Sequence, residues 1–346
     1  MVQSLTSVRA NRANTILCEF LCAPHWPHLI SSDQERGSAP PPSNTVYERQ
    51  LLQKRHGFPL WIPQPNGHLP KSYVDKGVSV GDVGIITPEG AFDYLFNICL
   101  PAEHPNNAGL LPEGFVPLLT QHKDISEFPE HTSDSYLSSP SFQKLSGLLF
   151  QGTGSEGALL TMPQGALHED IRNLTKFREY AALHAHSWYK FANGVCGREI
   201  ENGELHLVTG CDKASSWGIA TFSGDQTMAE EPVQLEFVAE DTPNGCVCFW
   251  QHSGNVDVKA CPSPFDHSAQ QGHMRNQCTF IRSHTISLSE GEWIKLMNSI
   301  TVMSPGEGSD TSSIDRTSNI SSRSKSTLKR LFSSFSALYP PPSRLL

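Results

Sequence analysis

The chain has 346 residues, 38% of them hydrophobic and 18% charged, with 26 Gly and 25 Pro; this loop-rich composition excludes a coiled coil or a helical bundle. No apolar run approaches the roughly 20 residues that cross a bilayer as a helix, so no transmembrane segment is expected. The net charge of −9 divides into zero for residues 1–46, +3 for 301–346 and −12 for the body between them, and so acidic a body is a poor footprint for nucleic acid.

Residues 1–46 read as a disordered leader ending in the linker-like Gly37-Ser38-Ala39-Pro40-Pro41-Pro42-Ser43. Folding is expected to begin near Tyr47, with a short helix over Tyr47–Arg55 that Gly57 stops. Phe58–Pro65 carries three prolines, which predicts an extended anchor rather than a ladder strand. Val78–Thr87 and Ala91–Leu100 predict a hairpin about Pro88-Glu89-Gly90. There Val83 and Ile85, then Phe92, Tyr94 and Phe96, alternate with a period of two. Phe115–Leu119 reads as a short strand and 122–142 as irregular. Leu145–Gln151 and Ala158–Met162 suggest a second hairpin.

The spacing of Ile171, Leu174, Phe177, Ala181, Ala185 and Trp188 predicts one long amphipathic helix over about 166–192, stopped by Asn193-Gly194. Strand patterns follow at Glu204–Thr209, Trp217–Phe222, Val233–Ala239, Cys246–Gln251 and Cys278–Leu288. Successive strands without intervening helices favour antiparallel pairing. The fold class expected is therefore α+β: an antiparallel β-rich sandwich or curved sheet, one long helix and disordered termini. A single globular domain spans 47–303, and a Ser-rich basic tail occupies 304–346, where too little apolar surface is available to order the chain.

Nine cysteines at irregular spacing fit reduced, buried thiols of an intracellular protein better than a disulfide framework. Residues 1–18 contain two arginines and no acid, a faint presequence character without an amphipathic face. A cytoplasmic location is expected.

Gly152-x-Gly154-x-x-Gly157 matches a dinucleotide fingerprint as a string, but Pro163 leaves no room for the helix whose N-terminus would meet a pyrophosphate. A hairpin turn is the better reading. Ser155 lacks the first glycine of a nucleophile elbow. His184 and His186 sit two apart on the predicted helix and so point in different directions. Cys246-x-Cys248 with His252 places two thiols on one strand face, yet the apolar surroundings favour core packing over zinc. Gly210–Gly218 is a dense polar stretch between two strands. Its functional reading uses Asp212 and Lys213 as a polar contact set and Trp217 as an aromatic wall, against a plain charged turn. In the tail, Leu328, Leu331, Phe332 and Phe335 with Lys329 and Arg330 form a basic amphipathic segment. It suits a membrane surface or a partner protein's groove.

Several segments carry a resemblance. Tyr47-Glu48-Arg49-x-Leu51-Leu52, Gly57-x-Pro59-Leu60-Trp61-x-Pro63, Gly81-Asp82-Val83-Gly84 and Phe92-Asp93-x-Leu95-Phe96-Asn97 are joined by Leu207–Lys213 running into Ser216-Trp217-Gly218. Together, over about Tyr47–Leu288, the chain resembles a family of uncharacterised proteins of mushroom-forming (agaricomycete) fungi. That family has no known activity, so the resemblance implies no functional residue.

The sequence thus contains no complete catalytic constellation, no nucleotide loop and no convincing metal set; no cofactor is expected. The expected function is a non-enzymatic intracellular binding or interaction module. The alternatives are a Cys/His-dependent hydrolase assembled only in the fold, through Cys196, Cys211 or Cys246, and a zinc-stabilised protein.

Overall fold

The computed structural model describes residues 40–224, 232–242, 245–263 and 274–302. Most of the expected leader and all of the tail, with Leu328, Lys329, Arg330, Leu331, Phe332 and Phe335, lie outside the described residues. In chain order come α1 (Ser43–Leu52), β1 (Phe58–Pro59), α2 (Lys71–Lys76), β2 (Asp82–Ile86) and β3 (Phe92–Asn97). Six strands follow: β4 (Ile125–His131), β5 (Ser135–Ser138), β6 (Phe142–Ser146), β7 (Leu149–Gly152), β8 (Glu156–Met162) and β9 (Ala166–Ile171). The helix α3 (Leu174–Tyr189) continues into a π-helical turn over Lys190–Val195. The last elements are β10 (Leu205–Ala214), β11 (Trp217–Ser223), β12 (Val233–Thr242), β13 (Gly245–Ser253), β14 (Asp257–Cys261), β15 (Gln277–Ile286) and α4 (Glu290–Val302).

The fold is α+β, and every strand pairing among the described residues is antiparallel. One sheet runs β1-β15-β10-β2-β3. Its centre is β10, which has β15 along one edge. Along the other, its first residues pair with β2 and its last five with β9, which in turn pairs with β4. A second sheet is β14-β11-β8-β5 and a third β13-β12-β7-β6. The second and third sheets pack face to face through Phe142, Phe150, Leu159, Phe222, Leu235 and Phe237. Burying each such side chain stabilises the fold by about 1.5–3 kcal/mol.

The apolar stripe of α3, formed by Phe177, Ala181, Ala185 and Trp188, lies on Val83, Phe96, Leu205 and Leu207 of the first sheet. Asn173 starts the helix by accepting the Lys176 N–H. The π-helical turn is closed by Asn193, whose side chain bonds both the N–H and the carbonyl of Ile200. Trp293 of α4 packs edge-on against Tyr189. No helix among the described residues is long and apolar enough to cross a membrane.

The structure confirms the β2–β3 hairpin and moves several boundaries. The first helix begins at Ser43, and its Val46 is fully buried. The long helix begins at Leu174, because Ala166–Ile171 is claimed as a strand by both β4 and β10. Leu149–Gly152 and Glu156–Met162 do not form a hairpin. They enter different sheets, and Gly152 and Gly157 leave room for the rings of Phe142 and Phe222. The segment 122–142, expected to be irregular, supplies β4 and β5, whereas 115–119 forms no strand.

Candidate functional site

Six side chains from four strands and one turn converge at the end of β10 where β4, β9 and β15 meet. Asp212 of β10 stands opposite His168 of β9 and is completely buried. His168 and Asp170 share its face of the sheet, because strand side chains alternate. Arg282 arrives from β15, opposite Gly210. Gly210 is a necessity of packing: a Cβ there would fall on Asp170 Oδ1 and come within 2.8 Å of Arg282 Nε.

Two turns deliver the remaining histidines. After α1 the chain reverses through Arg55 and Gly57, both at positive φ. A Cβ on Gly57 would lie 2.6 Å from the carbonyl of Ile281, so only glycine lets this turn close on β15. His56 is thereby set against Phe280, ring centroids 5.5 Å apart, and its carbonyl accepts a 2.8 Å bond from Arg282 Nη1. His131 ends β4 just after an irregularity at Pro129–His131. Gly165, at positive φ, lets the neighbouring turn press against the His131 carbonyl. The rings of His56 and His131 lie 4.9 Å apart.

The two oxygens of Asp212 have different environments. Oδ1 accepts from Arg282 Nη1 at 2.9 Å, and His168 Nδ1 lies at the same distance. Oδ2 has no hydrogen-bond partner among the described residues. It faces His131 Nε2 at 3.7 Å and His56 Nδ1 at 3.9 Å, both beyond hydrogen-bond reach. His131 Nε2 is likewise buried without a hydrogen-bond partner among the described residues. An unsatisfied buried polar atom costs about 1–3 kcal/mol, and here two of them face each other.

Burial by itself would raise the Asp212 carboxyl, but the imidazoles of His131 and His168 and the Arg282 guanidinium outweigh it. The acid is held well below the usual carboxylate range. Asp212 raises the pKa of His168 against its burial, with help from Asp170 at 2.8 Å from Nε2. His56 moves the other way: burial, then the neighbouring His131, lower it. That direction favours the neutral imidazole, which carries a lone pair.

His56, His131 and Asp212 present three ligand atoms lying within 4.8 Å of one another. An ion held at about 2.1 Å by tetrahedral ligands sets them roughly 3.4 Å apart. The observed 3.7 and 3.9 Å are close to that, and the third spacing is at most 4.8 Å. Arg282 and His168 occupy Oδ1 and so fix Asp212 as a one-oxygen ligand, the kind of outer contact that orients metal carboxylates. Sequence reading missed this set, since its histidines come from separate segments with no local spacing to mark them.

Of the residues singled out in the polar stretch, only Asp212 belongs to this cluster. The stretch is not a turn, because β10 continues to Ala214 and buries it. Lys213 points to the opposite face and pairs with Glu169 at 2.9 Å. Trp217 packs with Tyr47, Trp61 and Phe280 and donates to Gln277 Oε1. Cys246 and Cys248 lie in or against the core between the two packed sheets. Cys196, Cys211 and Cys246 are not hydrogen-bonded to any described histidine; Cys211 Sγ faces the Val78 carbonyl and Glu169. His184 packs against Tyr180 and Trp188, and His186 is exposed.

Comparison with protein-family models gives no match, and comparison with curated proteins gives none either.

Proposed function

We propose that the chain is a binding module for a single divalent transition-metal ion, zinc being the best chemical match, held by His56 Nδ1, His131 Nε2 and Asp212 Oδ2. The observation that carries this reading is the fully buried Asp212 oxygen, without a hydrogen bond among the described residues and facing two imidazole nitrogens at 3.7 and 3.9 Å. Two imidazoles and a carboxylate suit zinc and its first-row neighbours, whereas calcium and magnesium prefer oxygen ligands. This reading joins the expected binding module to the zinc alternative, with ligands other than the Cys246–Cys248 pair. Three protein ligands leave one position for water, so hydrolysis by a metal-bound water is the enzymatic form that this site supports. No disulfide is formed among the described cysteines, which supports a reducing compartment such as the cytoplasm.

The test is equilibrium dialysis of the full chain against zinc, with metal counted by elemental analysis. One equivalent per chain is expected, falling at least tenfold in affinity in H131A and in H56A, with circular dichroism unchanged. Wild-type protein that retains no zinc, or an H56A/H131A variant that binds it equally well, overturns the reading.

A further inference from the structure

A cavity of about 900 Å³ opens where the β2–β3 hairpin, β11, β13 and β14 come together. Its walls include Phe92, Trp217 and Trp250, with Ile62 and Val258 adding aliphatic surface. It shares no lining residue with the His56–His131–Asp212 set. A drug-sized molecule needs roughly 300–1,000 Å³, so the space is ample for one small ligand.

Among the described residues, two charged side chains line the cavity, Asp93 and Lys259. Asp93 is already neutralised by Arg198, whose Nε lies 3.2 Å from Oδ2. Lys259 has no carboxylate within ion-pair distance among the described residues. Its ammonium rests 4.3 Å from the centroid of the Trp61 ring, a contact that covers one side of the cation and is worth about 0.5–2 kcal/mol. Burial lowers its pKa, and the more distant Asp257 only partly opposes this. Among the described residues, this half-buried cation is the charged group on these walls that lacks an ion-pair partner.

The aromatic walls have their polar edges occupied elsewhere. Trp250 Nε1 donates to the Lys259 carbonyl at 3.0 Å, and Trp217 Nε1 to Gln277 Oε1 at 3.4 Å. The Trp250 ring is held edge-on by Phe237, centroids 4.9 Å apart. These indoles present carbon surface, not donors. A polyhydroxylated ligand would gain no hydrogen bonds from them, whereas a flat or alkyl body would gain contact area.

We propose that this cavity binds an organic monoanion with an apolar body, its carboxylate or sulfonate paired with Lys259 and its body lying against Phe92, Trp217 and Trp250. The proposal is independent of the metal reading.

The probe is 1-anilinonaphthalene-8-sulfonate, an anionic aromatic dye, with its uncharged counterpart N-phenyl-1-naphthylamine as control. On the full chain, saturable binding of the sulfonate is expected at one site, with displacement by decanoate. K259M, which keeps the aliphatic stem, weakens sulfonate binding at least tenfold and leaves the neutral dye within twofold. K259R restores the anion, and A91F, which fills the cavity, weakens both dyes. Equal sulfonate affinity in wild type and K259M overturns the proposal. So does a wild-type chain that shows no saturable binding, or an A91F variant that still binds both dyes while keeping its thermal midpoint.

Discussion

Gly210 lies beneath the ion pair of Asp170 and Arg282, and any side chain on it would occupy the position of Asp170 Oδ1. The pair crosses the sheet at this point because one strand position carries no Cβ. Gly210→Ala is therefore expected to cost about 1–3 kcal/mol, the usual penalty of overpacking. It should also loosen Arg282, which holds Asp212. The measurement is thermal unfolding beside zinc dialysis. An unchanged midpoint together with unchanged metal affinity would show that the close approach carries no weight.

Removing the charge of Asp212 tests the network from its centre. Asp212→Asn preserves size but leaves Arg282 and His168 facing an amide. Breaking a buried pair by removing one partner typically costs about 3–5 kcal/mol. The double variant D212N/R282M removes both charges, and its cost is expected to fall short of the sum of the single losses by at least 0.5 kcal/mol. Denaturant unfolding of the four proteins measures this, and strict additivity would deny that the two residues act as a pair.

The parts of the fold that could be read from sequence are those where local pattern and tertiary demand agree. In the β2–β3 hairpin, Phe92, Tyr94 and Phe96 alternate and are all buried, although the irregularity at Val83–Gly84 sends Phe96 to the α3 side while Phe92 and Tyr94 pack with Tyr73 and Val208. Ala166–Ile171 misleads because Ile171 continues the helical spacing of Leu174 and Phe177, while Glu169 and Asp170 resemble the acids of a helix start. Their actual partners are Lys213 on one face and Arg282 on the other, which only a strand between two neighbours provides. Strand β4 was hidden by its polarity and by Pro129, which an outer strand tolerates. At the site, Asp212 could be picked out from its polar stretch. His56, His131 and His168 could not, since each is an ordinary isolated histidine until the sheet brings β4, β9 and the α1–β1 turn together.

The thiols offer a check on the packing that surrounds both proposed sites. Burial pushes Cys99 up to about 12 and Cys278 well above the ordinary thiol range. Thiolate is the reactive species, so such groups are slow nucleophiles. Iodoacetamide treatment of native protein at pH 8, read site by site by mass spectrometry, is expected to leave Cys99, Cys248 and Cys278 at least tenfold less modified than in urea. Rapid native modification of Cys278 would mean that the β10–β15 ladder opens far more readily than its burial implies.

His206 predicts how the protein responds to acid. It lies on β10, only 3% exposed, with Nδ1 3.1 Å from Ser283 Oγ. Burial lowers its pKa to about 4, against about 6.5 in an unfolded chain. Between those values the unfolded chain carries the proton and the folded one does not, so stability must fall as pH drops from about 6.5 towards 4. The full effect of such a shift is on the order of 3 kcal/mol. His284 and His56 are lowered as well, so the wild type loses stability through several histidines, and the informative quantity is the difference made by one. His206→Gln keeps a hydrogen-bonding group toward Ser283 without a proton to bind. Urea unfolding at pH 7.5, 6, 5 and 4.5 should give a shallower decline for H206Q than for wild type, the two curves converging towards the acid end. Parallel curves would mean that His206 takes up its proton as easily in the folded protein as in water.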